Sequence, residues 1–158
     1  MAFQHEEFLR QAIDLAADNV WQGLGGPFGA LVVKDGTVIA TGTNRVTSSN
    51  DPTAHAEIVA LRTACQKLGV FQLDGCELYT SCEPCPMCLG AIYWARLKAF
   101  YFAGDQQDAA RAQFDDSFIY GELEKPVDRR AIPGYRLLAA EGFRPFAEWL
   151  KSHNKVPY

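Results

Sequence analysis

The chain has 158 residues, 48% hydrophobic and 22% charged, and its 15 Lys and Arg against 19 Asp and Glu give a net charge of -4. That profile belongs to one compact domain with a full core rather than a disordered or fibrous segment, and it presents no overall positive field, so a polynucleotide partner is disfavoured. No stretch approaches the roughly 18 apolar residues of a membrane span, and the charged start MAFQHEEFLRQA lacks the apolar core of a signal peptide; a cytoplasmic location with no membrane partner is expected.

In chain order, Phe8, Leu9, Ala12, Ile13, Leu15, Ala16, Val20 and Trp21 recur at helical spacing and predict an amphipathic helix over about 6–22. Gly23, Gly25, Gly26 and Pro27 stop it. Two β-rich runs, Phe28 to Lys34 and Thr37 to Gly42, flank Asp35-Gly36 in hairpin arrangement. After a polar stretch, Ile58, Leu61, Cys65 and Leu68 form the stripe of a second long helix that Gly69 ends. Glu77 to Thr80 reads as a strand, Cys88, Ala91, Ile92 and Ala95 as a short helix, and Ala99 to Phe102 as a further strand. Beyond them a helix is expected over Ser117 to Leu123, a strand near Tyr135 to Ala139 and a final helix from Pro145 to Ser152, which together make a layered α/β domain.

Five cysteines are an odd number, and a reducing cytosol disfavours disulfides, so their spacing is read as metal or redox chemistry. His55-Ala56-Glu57 precedes Pro84-Cys85-Pro86-Met87-Cys88, and together they match the H-x-E and P-C-x-x-C signature of zinc deaminases. One imidazole and two thiolates suit zinc and leave its fourth tetrahedral position for water. Cys85 and Cys88 share one side of a first helical turn, whose N-terminus favours thiolates. Two thiolates make the ion a mild Lewis acid, so water needs a nearby base, and Glu57 is the candidate. Two residues apart on an ideal helix, His55 and Glu57 point in opposed directions and converge only around its end. Taken singly, the same residues also fit a capping histidine, a solvated first-turn acid, a closed zinc knot or a redox pair, and Cys82 extends the run toward a four-thiolate or iron–sulfur site that has no suitably spaced fourth cysteine. Cys65 and Cys76 read as small apolar side chains.

The segments GGPFGALVVKDG, SNDPTAHAEIVALR, LYTSCEPCPMCLGAIYWAR and FDDSFIY together resemble bacterial guanine deaminases of the cytidine deaminase-like superfamily, from the first helix to Tyr158. DPTAHAE and SCEPCPMCLGA are also shared with tRNA adenosine deaminases, whereas FDDSFIY and the C-terminal end separate the two branches. The resemblance implies a three-layer α/β/α cytidine deaminase-like fold with a mixed five-stranded sheet in a single domain over 1–158. It implies zinc (Zn2+) held by His55, Cys85 and Cys88, with Glu57 as proton shuttle. It further implies that Asn44 hydrogen-bonds the base, that Asp116 contacts the purine, and that Tyr158 closes the pocket. That closure resembles a domain-swapped homodimer in which the segment from about 143 to 158 comes from the partner subunit. Asn44 also fits a turn, Asp115 and Asp116 a helix cap and Tyr158 a frayed end. For Phe28, a core phenylalanine is the stronger account beside a pocket wall.

The reaction so implied is hydrolysis of guanine, with water, to xanthine and ammonia, Glu57 carrying a proton from water to N3 while oxygen attacks C2. Guanine offers an N1–H and an amino donor to a carboxylate such as Asp116, and adenine has no N1–H. The alternatives are tRNA adenosine deamination, deamination of cytosine or another small aminated base, and a zinc-binding protein without activity. The first needs a basic track, and the tail from Arg144 to Tyr158 carries only three Lys or Arg and one Glu.

Overall fold

The computed structural model describes residues 2–158, which divide into a unit ending at Asp116 and a second unit, Ser117–Tyr158. The first unit contains helix α1 (Ala2–Trp21), strands β1 (Gly29–Lys34) and β2 (Thr37–Thr43), a single turn α2 (Val46–Ser49), helix α3 (Ala56–Leu68), strand β3 (Cys76–Cys82), helix α4 (Pro86–Trp94), strand β4 (Ala99–Gly104) and helix α5 (Gln106–Arg111). The second contains α6 (Ser117–Leu123), a 3-10 turn at Val127–Arg129 and α7 (Arg144–Lys151).

The hairpin forms where expected because Asp35 (φ 49°) and Gly36 (φ 75°) both take positive φ, the conformation whose twist matches two antiparallel strands. Gly69, with φ 66°, closes α3 by donating its N–H back to the last-turn carbonyls. The four strands lie in the order β2-β1-β3-β4, antiparallel except for the parallel pair β3 and β4, whose crossover carries α4.

Alternation along β1 divides the core into two layers. Ala30 and Val32 pack with Ala56, Ala60, Leu61 and Ala64 of α3 on one face, while Leu31 and Val33 pack with Phe8 and Ala12 of α1 on the other. With helices on both faces β1 is buried almost throughout, which explains its unbroken apolar run. At Gly42 of β2 an added Cβ would lie 2.2 Å from the Ala56 carbonyl oxygen, so this glycine lets the start of α3 press onto the sheet. No helix among the described residues is long and apolar enough to cross a membrane.

The expectation of a five-stranded sheet is overturned: among the described residues the sheet has four strands. The expected strand at Tyr135 to Ala139 is irregular chain. Leu138 sits at φ 52°, which breaks an extended run, and Tyr135, Leu137 and Leu138 are exposed rather than packed on a sheet face. The run YRLLA also lacks the alternation of a half-buried strand.

Candidate active site

The register Gly29↔Thr43, Ala30↔Thr80 and Cys82↔Gly104 brings the start of β1 beside the ends of β2, β3 and β4 at one edge of the sheet. The connections leaving that edge surround a cavity of about 550 Å³, lined among others by Phe28, Asn44, His55, Glu57, Cys85 and Asp116. Its size falls in the range of small-molecule sites, at the strand ends where open α/β sheets place their ligands.

Two helix starts aim the metal donors at this cavity. His55 is the extended residue before α3 (φ -67°, ψ 155°), and Cys85 holds the same position before α4 (φ -65°, ψ 168°), with Pro86 opening that helix. His55 therefore lies outside the helical twist. This resolves the opposed directions that two positions on one helix would impose on His55 and Glu57. Cys88, in the first turn of α4, is buried. His55 Nδ1 lies 3.5 Å from Cys85 Sγ and 3.6 Å from Cys88 Sγ, and the three donor atoms lie within 4.8 Å of one another. Tetrahedral zinc, with Zn–S of about 2.3 Å and Zn–N of about 2.0–2.1 Å, separates sulfur from nitrogen by about 3.5–3.6 Å, so the donor set fits that ion. Cys82 stands outside the group, its sulfur 3.7 Å from the Asp105 carbonyl oxygen, and no four-thiolate cluster forms among the described residues.

The three donor side chains shift one another's titration. The Cys88 thiol donates to Cys85, and this bond, joined by His55 and opposed by burial, lowers Cys85 to about 4. The same bond and burial push Cys88 far up, and the bond to Cys85 raises His55. Glu57 is only 6% exposed; burial raises its pKa, the Cys85 sulfur adds to the rise and His55 opposes it. A buried carboxyl held above the usual carboxylate range in this way is suited to take and return a proton.

Another part of the cavity wall is built around Asn44, which is 7% exposed. Its Oδ1 accepts the N–H groups of Gly26 and Val46, each at 3.2 Å, which fixes the amide orientation and leaves Nδ2 as the donor face. The Phe28 ring packs edge-on against Phe114 with centroids 5.0 Å apart and also touches the core beneath, so it is both cavity wall and core residue. Asp116 is half-buried, and burial followed by the nearby Cys85 sulfur raises its pKa.

Of the residues singled out in the sequence, His55, Glu57, Cys85, Asn44, Phe28 and Asp116 line one cavity, and Cys88 reaches it through His55. Tyr158 belongs to the second unit, where it is 71% exposed. In the sequence Gly25 reads only as part of a helix stop, not as the residue packed against Asn44, and neither Phe114 nor Asn19, buried behind the wall, is singled out. Phe114 stood within the FDDSFIY segment and Gly25 within GGPFG, but Asn19 carried no signal beyond a polar residue beside an apolar stripe.

A four-stranded sheet between helical layers, with one imidazole and two sulfurs converging beside a buried carboxyl, defines a zinc-dependent deaminase domain. The chain belongs to the cytidine and deoxycytidylate deaminase family, whose zinc-binding region matches residues 3–104. It is 59% identical over 154 residues to the guanine deaminase of Bacillus subtilis (strain 168), covering 98% of this chain and 99% of the relative. The X-ray structure of guanine deaminase from Bacillus subtilis matches with a TM-score of 0.95, covering 98% of each chain at 59% identity. Identity to the tRNA-specific adenosine deaminase of Agrobacterium fabrum (strain C58) is 50% over 76 residues, 48% of this chain and 50% of that relative. A structure of guanine deaminase from Nitrosomonas europaea matches with a TM-score of 0.65 at 39% identity, covering 69% of this chain and 63% of that one.

Proposed function

We propose that this chain is a guanine deaminase, a zinc-dependent hydrolase that converts guanine to xanthine and ammonia in the cytoplasm. The observation that carries this reading is likeness over 98% of the chain to a guanine deaminase, where likeness to the tRNA-specific enzyme of Agrobacterium fabrum spans 48%.

His55, Cys85 and Cys88 would hold zinc, which when bound supplies Lewis-acid activation of water. Glu57 accepts the proton released as the water oxygen bonds to C2, and delivers it to N3. It then takes the proton of the new C2 hydroxyl and passes it to the amine as the C2–N bond breaks, leaving the C2 carbonyl of xanthine and releasing ammonia. Asn44 offers its Nδ2 donors to acceptor atoms of the purine, held in that orientation by Gly26 and Val46. Asp116 accepts from the donor edge of guanine, and an adenine ring without N1–H leaves that acceptor unpaired. Phe28 and Phe114 give the flat ring an apolar wall.

The proposal extends to the second unit. None of residues 117–158 is buried, and Phe146, Trp149, Leu150 and Tyr158 are 43–71% exposed. A segment this short rarely folds on apolar side chains left in water, so a second copy that accepts the stretch from about 143 to 158 in exchange, forming a swapped homodimer with Tyr158 at the cavity mouth, supplies cover for Phe146, Trp149 and Leu150. Light scattering during gel filtration reads this directly; a monomer at assay concentration removes the swap.

The test of the activity is ammonia release from guanine, guanosine, adenine, cytosine and a tRNA anticodon hairpin by the zinc-loaded protein. Release from guanine above all others supports the reading. Release from the hairpin alone replaces it with tRNA adenosine deamination.

A further inference from the structure

Asn19 lies near the C-terminal end of α1 and is 2% exposed. Its Nδ2 makes two hydrogen bonds, to the Gly26 carbonyl at 2.9 Å and to the Asn44 carbonyl at 3.0 Å. Its Oδ1 is buried with no hydrogen-bond partner among the described residues. An unpaired buried carbonyl is costly, and an apolar side chain of similar size would avoid that cost. What such a side chain would lose is the pair of donors, and both donors go to the backbone that builds the cavity wall.

Gly26 and Asn44 are linked to each other as well. The Gly26 N–H donates to Asn44 Oδ1, and Gly25 leaves no room for a Cβ against the Asn44 carbonyl. The Asn44 side-chain orientation therefore depends on the register of two backbone segments, one before β1 and one after β2. Asn19 ties both segments to α1 from behind the wall.

We propose that Asn19 is a positioning residue for base recognition: by bridging the Gly26 and Asn44 carbonyls it holds the Asn44 amide with its NH2 group toward the cavity. This inference rests on the reading of Asn44 as a base-contacting group. Asn19 touches neither the base nor the metal donors. Its loss therefore weakens binding of the base in ground and transition states alike, which raises KM and spares kcat.

The test compares wild type, Asn19→Asp, Asn44→Ala and the double variant for kcat, KM, zinc content and thermal unfolding. Asn19→Asp keeps the shape and sets oxygen against two carbonyl oxygens. It should raise KM about tenfold or more with kcat changed less than about threefold and zinc retained. Because Asn19 acts through Asn44, adding Asn19→Asp to Asn44→Ala should lower kcat/KM little further. An unchanged KM in Asn19→Asp, or losses that multiply in the double variant, overturns the proposal. Asn19→Ala, which admits water to both carbonyls, is the second variant and should show the same KM rise. If both Asn19 variants lose zinc and kcat together without a KM rise, or fail to fold, the residue is a core support and the proposal fails. A wild type inert toward guanine but active on another base defeats the guanine reading instead, and leaves the Asn19–Asn44 coupling to be measured on that base.

Discussion

Gly25→Ala tests whether the cavity wall is as closely set as its contacts indicate. The methyl group would lie 2.2 Å from the Asn44 carbonyl oxygen and 2.9 Å from both its carbonyl carbon and its Oδ1. Gly25 is absent from the residues at positive φ, so the glycine is there for space and not for backbone conformation. Since Cβ contacts shorter than 3.0 Å are essentially never seen, the two backbones must part by about 0.8 Å. That displacement falls on the carbonyl that Asn19 holds and on the amide that Gly26 holds. Overpacking of this kind costs about 1–3 kcal/mol of stability. A misplacement approaching 1 Å at a group that orients the substrate costs up to about 10²-fold in rate. Steady-state kinetics on guanine should therefore show kcat/KM lower by about 10- to 100-fold. Zinc content should be unchanged, because none of the atoms Gly25 crowds belongs to His55, Cys85 or Cys88. A Gly25→Ala protein with wild-type kcat/KM and unaltered unfolding temperature would refute the reasoning.

Glu57→Gln should keep its zinc and lose about 10²–10⁴-fold in kcat, the usual contribution of a positioned acid/base group; near-normal turnover removes Glu57 from the mechanism. Cys85→Ala should lose metal and activity together when zinc is measured by atomic emission after dialysis, and a fully loaded, active variant takes Cys85 out of the donor set. Zinc uptake should be pH-dependent: the bond to Cys85 and burial hold Cys88 protonated, so binding must release that proton and apparent affinity must rise with pH. Chelator competition from about pH 6 to about pH 8 reads the trend, and a flat or falling affinity contradicts it.

How much of this was legible in the sequence varied with the range of the forces involved. The hairpin and the end of α3 were plain because Asp35-Gly36 and Gly69 encode local backbone conformations. The metal donors were plain because zinc needs particular residue types, and a helix start leaves few ways to present them. Two short helices escaped. The single turn Val46–Ser49 has no apolar stripe, and Gln106–Arg111 is announced by Asp105 and Asp108, an acid pair in place of the usual Ser or Thr with Glu. The fifth strand failed because apolar content at 135–139 was read without alternation, and Leu138 turns the chain. The cavity-wall roles of Gly25 and Asn19 carry no local signal because both depend on Asn44, 19 and 25 positions away.

The most direct test of the chemistry is a single conversion of guanine by the zinc-loaded protein in water labelled with heavy oxygen, with the purine product identified by mass spectrometry. The expected result is xanthine bearing the label at C2 and an equal amount of ammonia. Unreacted guanine beside a deaminated tRNA hairpin, or xanthine without the label, would contradict hydrolysis of guanine at this site.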